Sequence, residues 1–119
     1  MSLKQALKNL RDNYVRKQAQ NAVFPAFPPA PVCRLRIRFS GRVQNVGFRL
    51  ETCELAKRLG LTGFCQNLEN GDVLAELQGP ENRIHFLISF MESLKRIKIE
   101  HKEISVRDVV PGETDFLQL

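Results

Sequence analysis

The sequence is poor in the residues that build redox, zinc or disulfide-stabilised sites. It contains three cysteines, two histidines and no tryptophan among 119 residues. Cys33, Cys53 and Cys65 are odd in number, and their spacing matches neither a zinc site nor a CxxC redox motif. A disulfide framework is therefore excluded, and free thiols in a reducing cytoplasm are expected. Neither His85 nor His101 has a sequence context that pairs it with a thiol for catalysis.

The chain also lacks long apolar runs and, over most of its length, an excess of one charge. No run is long enough to cross a bilayer, so no membrane partner is expected. The net charge is +5, of which residues 1–32 carry +4 and residues 33–119 only +1. Nucleic-acid binding through many phosphates would have to come from the N-terminal residues, and none is expected for residues 33–119. One arginine can still bind one small phosphoryl group.

The composition divides the chain into three segments. Residues 1–23 form a basic extension that is either helical or disordered. Its apolar side chains recur at helical spacing: Leu3, Leu7, Leu10 and Tyr14. Ser2 can cap such a helix, and Gln5 three residues on completes a weak capping box. The extension could dock on the rest of the protein, meet a partner, lie on an acidic membrane, act as an import leader, or have no role.

Residues 24–32 contain four prolines and are expected to form an extended linker. A ligand for a proline-recognition domain is the alternative.

Residues 33–119 have the apolar content and alternation of a compact domain. A chain of this length normally forms one domain, and eight phenylalanines supply most of the aromatic volume of the chain.

The patterns in residues 33–119 predict strands and helices in the order β-α-β-β-α-β, followed by a short C-terminal strand. Arg34 to Phe39 alternates strictly, which predicts a strand with one buried face and a solvated face of three arginines. The remaining predicted elements are helix 48–59, strands 61–68 and 72–78, a helix after Gly79-Pro80, and strands 99–109 and 115–119. This order is typical of a ferredoxin-like α/β sandwich, an α+β fold with a mostly antiparallel sheet and two helices on one face.

Residues 41–49, which read GRVQNVGFR, connect the first predicted strand to the first predicted helix. The N-terminus of a helix presents unpaired backbone N–H groups at the positive end of its dipole, and a glycine-bearing turn lets them converge on an anion. Arg49 lies at the rim, where its planar guanidinium can bind two phosphate oxygens. Asn67 follows eighteen residues later, at the end of a predicted strand. Its neutral amide can orient a water without repelling a phosphate.

This segment resembles the G-x-V-Q-G-V-x-F-R signature of the acylphosphatases, and residues 63–71 resemble that family's G-W-V-x-N-x-x-D/N-G segment. The resemblance runs from about Leu35 to Leu119, and its departures from the family pattern include positions 45 and 64. Asn45 stands where the family has glycine, and asparagine is the least costly replacement if the position needs a positive φ. Phe64 stands where the family usually has tryptophan.

The resemblance implies hydrolysis of acyl phosphates, which are carboxyl–phosphate anhydrides, to a carboxylate and inorganic phosphate. It assigns phosphate binding to the loop amides and to the Arg49 side chain; the residues concerned are Gln44, Asn45, Val46, Gly47, Phe48 and Arg49. It assigns the orientation of the attacking water to Asn67, so that Arg49 and Asn67 are the catalytic residues. No metal, nucleotide cofactor or covalent enzyme intermediate is expected, and the protein is expected to be a cytoplasmic monomer.

The residues leave two alternative functions open. The first is a non-catalytic phosphate-binding or interaction module on the same fold, which Asn45 and the basic extension favour. The second is nucleic-acid binding by the sheet, which would need exposed aromatic side chains on its central strands. Phe39 and Phe64 are the nearby aromatic residues, and both are predicted to lie in the core.

Overall fold

A five-stranded sheet forms the centre of the computed structural model, which describes residues 1–119. The strands are β1 Val32–Arg42, β2 Thr62–Asn67, β3 Val73–Pro80, β4 Lys98–Arg107 and β5 Phe116–Gln118. Their order in the sheet is β4-β1-β3-β2-β5. All neighbouring strands are antiparallel except β2 and β5, which are parallel. The predicted mostly antiparallel sheet is therefore confirmed.

Three helices accompany the sheet: α1 Leu3–Asn21, α2 Phe48–Arg58 and α3 Glu81–Ser93. The apolar faces of α2 and α3 share one buried cluster with the inward side chains of the central strands, such as Ile37 and Ala75. The predicted stripe on α3 is correct; its buried members are Ile84, Leu87, Ile88 and Met91, and Leu94 at its end is buried too. The ferredoxin-like α+β fold is confirmed. None of the three helices combines the length and apolar character that crossing a bilayer requires.

The arginine-bearing face of β1 is covered by ion pairs. Arg34 was expected to be solvated, but it is only 4% exposed. Its Nε donates to Oε1 of Glu76 at 2.7 Å and its Nη1 donates to Oε1 of Glu113 at 2.8 Å. Arg36 and Arg38 are partly exposed, and each also pairs with a carboxylate. The expectation of a solvated face is therefore wrong for Arg34, because the connection between β4 and β5 places Glu113 over it.

The two aromatic residues considered for base stacking lie on opposite faces of the sheet. Phe39 is buried in the core, as predicted. Phe64 lies opposite Glu76 on the ion-paired face and is half-buried, so its assignment to the core is wrong. Stacking of successive bases uses several exposed aromatic side chains, whereas this face has one half-buried ring among arginine–carboxylate pairs.

The extension forms helix α1, which docks on α2 through its less apolar face. The Ser2 hydroxyl accepts a hydrogen bond from the Gln5 N–H at 3.1 Å, so Ser2 is the N-cap, while the Gln5 side chain bonds Asn9 instead of completing a capping box. Val15 and Ala19 are fully buried. Burying a valine side chain stabilises the docked state by roughly 1.5 kcal/mol. The predicted apolar stripe is exposed; its members are Leu3, Leu7, Leu10 and Tyr14.

The proline-rich segment packs against α3. The rings of Phe24 and Phe27 meet the ring of Phe86 nearly edge-on, with centroid separations of 5.2 and 5.5 Å. Asn82 Nδ2 donates to the Pro28 carbonyl at 2.9 Å. These contacts fix the path of the chain between α1 and β1, and they therefore determine where α1 can dock.

Candidate active site

The loop between β1 and α2 leaves a row of backbone N–H groups without backbone partners. No backbone hydrogen bond is donated by the N–H groups of residues 43–47. The first bond of the helical turn runs from the Glu51 N–H to the Gly47 carbonyl at 3.0 Å. A helix that begins at Phe48 also presents the N–H groups of its first turn at its open end. The loop therefore offers several donors to one anion, at the positive end of the α2 dipole.

Two residues of this loop have left-handed backbone conformations. Asn45 has a φ of 61°, the one positive φ outside glycine in this chain, and Gly47 has a φ of 78°. Asparagine adopts this conformation at lower cost than other side chains do, which explains how Asn45 can stand where the family signature has glycine. At Gly47 a Cβ would lie 2.7 Å from Cγ2 of Val15, so the close approach of α1 also requires glycine.

The loop is anchored on both sides by side chains. Gln44 Nε2 donates to the carbonyls of Leu68 and Asp72, at 2.8 Å each, and ties the loop to the β2–β3 hairpin. Arg96 Nε donates to the Val46 carbonyl at 2.7 Å. A loop held at both ends keeps its N–H groups in place before any ligand arrives, which is the condition for strong electrostatic stabilisation of an anion.

A cleft of about 840 Å³ opens over this loop. Five of the predicted site residues line it together: Asn45, Gly47, Phe48, Arg49 and Asn67. Gln44 and Val46 do not line the cleft. Instead, the Gln44 side chain and the Val46 carbonyl anchor the loop. The structure thus brings Arg49, on the first turn of α2, and Asn67, at the end of β2, to the same cleft.

Arg49 is the cation nearest the open end of α2 by sequence. A cation near a helix N-terminus is repelled by the positive end of the helix dipole. An anion bound between the cation and the helix end offsets this repulsion. The Arg49 Nη1 donates to the backbone oxygen of Leu119 at 2.7 Å, which places the guanidinium next to the end of β5. Its remaining N–H donors can serve a ligand.

The thiols near the site are poor nucleophiles. Burial raises the pKa of the Cys65 thiol to about 12, although the positive charge of Arg49 acts in the opposite direction. Burial likewise raises the pKa of Cys53. Because the thiolate is the reactive form, neither cysteine is poised to attack a substrate at neutral pH.

Glu51 lies beneath the loop and is fully buried. Burial raises its pKa, and the hydrogen bond and charge of Arg96 act against that rise. Arg96 Nη2 donates to Oε1 of Glu51 at 2.9 Å, whereas Oε2 has no hydrogen-bond partner. This pair lies behind the loop and supports it.

Helix α1 forms one wall of the cleft, and the sequence did not predict this position for it. Its charged side chains on the cleft are Lys4, Lys8, Arg11, Asp12 and Arg16. The spacing of Lys4, Lys8 and Arg11 places them on one face of a helix. That signal indicates a basic face, but it does not indicate where the helix docks.

The cleft can therefore bind a tetrahedral anion and present a water to it. The loop amides and the Arg49 guanidinium are hydrogen-bond donors that suit anionic oxygens, and the Asn67 amide carries both a donor and an acceptor that suit a water.

Comparison with known proteins identifies the family of this chain. The acylphosphatase family model matches residues 35–117, so α1 and the linker lie outside the match. An acylphosphatase of Clostridium beijerinckii is 40% identical over 88 residues, which cover 67% of this chain and 94% of that protein. An acylphosphatase of Picrophilus torridus is 39% identical over 70 residues, covering 58% of this chain and 86% of that protein. The crystal structure of acylphosphatase from Bacillus subtilis superimposes with a TM-score of 0.66 at 26% identity, over 75% of this chain and 98% of that one. The chain belongs to the acylphosphatase family.

Proposed function

We propose that this protein hydrolyses acyl phosphates to a carboxylate and inorganic phosphate in the cleft over the loop of residues 43–47. The loop amides and Arg49 bind the phosphoryl group, and Asn67 orients the attacking water. The observation that supports this proposal most strongly is the convergence of unpaired loop N–H groups, Arg49 and Asn67 on one cleft.

The chemistry requires positioning and charge stabilisation more than proton transfer by the protein. The water oxygen attacks phosphorus as the bond from phosphorus to the acyl oxygen breaks, and the carboxylate leaves with the bonding electrons. A carboxylate is a good leaving group, so no general acid is needed. The proton of the water passes to a phosphoryl oxygen of the substrate. Charge on the three equatorial oxygens is stabilised by the loop amides and Arg49.

Three further features are part of the proposal. The reaction is metal-independent, because the amides and the guanidinium supply the positive charge that a metal would otherwise supply. The protein acts as a monomer, since every proposed site residue comes from one chain. It acts in the cytoplasm, where a reducing environment keeps thiols free; Cys33, Cys53 and Cys65 are free in the structure.

Hydrolysis of benzoyl phosphate by the purified 119-residue chain tests the assignment. Arg49→Ala should abolish both phosphate binding and turnover, because it removes the charged half of the anion site. Asn67→Ala should abolish turnover yet retain phosphate binding, because it removes only the group that orients the water. Loss of a single pre-organised donor typically lowers the rate by about 10²–10³-fold.

Two matched variants control for nonspecific effects of losing an arginine or an asparagine. Arg107→Ala removes an exposed arginine at the end of β4, and Asn13→Ala removes an exposed asparagine of α1; neither residue lines the cleft. Both should keep wild-type turnover. Hydrolysis no faster than the spontaneous rate, or equal in wild type and Arg49→Ala, would refute the proposed function.

A further inference from the structure

Helix α1 lies outside the residues that the family model matches, yet it forms one wall of the active-site cleft. A phosphoryl group is small compared with a cleft of about 840 Å³, which is in the size range of pockets that hold whole small-molecule ligands. The α1 wall is therefore in a position to contact the part of the substrate beyond the phosphoryl group.

The position of α1 is fixed close to the phosphate loop. Val15 packs where a side chain on Gly47 would otherwise be. Gln18 accepts a hydrogen bond from Arg96, the residue that also holds the Val46 carbonyl. At the far end of the helix, Arg58 Nη1 donates to the Ala19 carbonyl at 2.6 Å and to the Ala22 carbonyl at 2.9 Å. The N-terminal half of α1 consequently projects over the cleft from an anchored C-terminal half.

The cleft is strongly cationic. Five basic side chains and one carboxylate line it: Lys4, Lys8, Arg11, Arg16, Arg49 and Asp12. Arg11 already pairs with Asp12, with Nη2 and Oδ1 3.1 Å apart. Lys4 and Lys8 form no ion pair in the structure. Like charges one helical turn apart repel each other, and an anion bound between them removes that repulsion.

We propose that Lys4 and Lys8 form a second anion subsite, which makes the enzyme selective for acyl phosphates whose acyl group carries a negative charge of its own. The charge belongs to a carboxylate or a second phosphate, since both present anionic oxygens to an ammonium group. This inference rests on the proposed function for the first subsite, where the loop and Arg49 hold the transferred phosphoryl group. The acyl portion then extends beneath the N-terminal half of α1.

Binding of three non-hydrolysable phosphonates to the purified 119-residue chain tests the second subsite. Benzylphosphonate carries no second anion, 4-carboxybenzylphosphonate carries a carboxylate, and 1,4-xylylenediphosphonate carries a second phosphonate. Calorimetry at low ionic strength gives the dissociation constant of each. Two screened charge contacts should make at least one of the doubly anionic probes bind about tenfold more tightly than benzylphosphonate. The preference should decrease as salt is added.

The decisive variant is Lys4→Gln/Lys8→Gln, which keeps long side chains with good helix propensity but removes both charges. It should reduce the tenfold preference to less than about twofold. Lys17→Gln is the matched control, because Lys17 is an exposed lysine of the same helix that does not line the cleft. That control should keep the preference. Tighter binding of only one charged probe would support the subsite and identify the group it selects.

Two results would overturn the inference: equal binding of all three probes by the wild type, or a preference that persists in Lys4→Gln/Lys8→Gln. The measurement is separate from the test of catalysis. If benzoyl phosphate is hydrolysed and the probes bind equally, the second subsite fails while the proposed function stands. If benzoyl phosphate is not hydrolysed, the phosphonates still report whether the α1 lysines bind a second anion.

Discussion

Replacing Arg96 by methionine should remove three contacts around the loop of residues 43–47. Arg96 lies in the connection between α3 and β4, and it donates to the Val46 carbonyl at 2.7 Å, to Gln18 of α1, and to Glu51 at 2.9 Å. Methionine keeps an unbranched apolar stem and removes every donor. Glu51 is fully buried, and its second oxygen already lacks a partner. The variant therefore leaves a buried carboxylate without the donor that now compensates its charge.

The size of the effect follows from the burial of the pair. Removing one partner of a buried ion pair costs about 3–5 kcal/mol. The Arg96 side chain is 20% exposed, so water can replace some of its contacts, which favours the lower end of that range, about 3 kcal/mol. For a chain of this length, a loss of that size lowers Tm by about 10 °C.

The loss should also depend on pH in a defined direction. Burial raises the pKa of Glu51, and Arg96 limits that rise, so the pKa should be higher still in Arg96→Met. A carboxyl whose pKa is higher in the folded than in the unfolded protein contributes stability below its unfolded pKa and loses it as the pH rises through its folded pKa. Arg96→Met should therefore be most destabilised at about pH 8 and less so at about pH 5, where Glu51 can take up a proton.

Urea unfolding of four proteins at both pH values checks this reasoning: wild type, Arg96→Met, Glu51→Gln and the double variant. Glu51→Gln removes the charge that Arg96 neutralises, so the double variant should be more stable than the sum of the single losses predicts. In the Glu51→Gln background, the loss caused by Arg96→Met should be the same at both pH values. The KM for benzoyl phosphate should rise in Arg96→Met, because the Val46 carbonyl is no longer held. Additive losses that are equal at both pH values would refute the argument.

Two other substitutions test separate parts of the structure. Gly47→Ala should lower the free energy of unfolding in urea by about 2 kcal/mol and weaken phosphate binding. The reason is that a Cβ at this position would lie 2.7 Å from Val15 Cγ2, and that the backbone φ is 78°. An unchanged unfolding midpoint would contradict this prediction. Burial alone would raise the pKa of Glu76, but hydrogen bonds from Arg34 and Arg36 hold it below its ordinary value. Glu76→Gln should therefore cost about 1–2 kcal/mol at neutral pH, and its difference from wild type should shrink as the pH falls through the folded pKa. Equal differences at about pH 7 and pH 3 would exclude Glu76 as a source of acid sensitivity.

The sheet and the conformation of the loop between β1 and α2 were predictable because their signals are local and agree with one another. Strict alternation from Arg34 to Phe39 identified β1, and the glycine-bearing sequence after it identified the loop and the start of α2. The Asn70-Gly71 turn identified the hairpin between β2 and β3. Each signal spans fewer than about ten residues, so no distant contact was needed to interpret it.

The partners of exposed-looking charges were not predictable in this way. Alternation places Arg34 on one face of β1, but it does not show what covers that face. The residue that covers it is Glu113, 79 positions away in sequence, whose carboxylate lies 2.8 Å from Nη1 of Arg34. Phe64 was mispredicted for the same reason. Its apolar side chain predicted a place in the core, but it lies on the ion-paired face of the sheet.

The docking of α1 could not be predicted from its own apolar pattern, because the pattern indicates a different face. Leu3 is 75% exposed and Tyr14 is 59% exposed, whereas Val15 and Ala19 are fully buried. Small side chains suit this interface, because α1 approaches the backbone at Gly47 closely. The position of the cleft wall, and with it Lys4 and Lys8, depends on this three-dimensional fit and on no local signal.

Three arginines of residues 33–119 contact aromatic rings of α1 and of the proline-rich linker. Arg58, Arg83 and Arg96 lie over the rings of Phe24, Phe27 and Tyr14, with distances of 4.1, 5.2 and 5.9 Å to the ring centroids. Each also donates to at least one backbone carbonyl. A planar guanidinium can bond in its plane and stack on its face at the same time, whereas an ammonium group cannot. Counting these residues only as positive charges therefore misses their part in holding α1 and the linker, and α1 in turn completes the cleft.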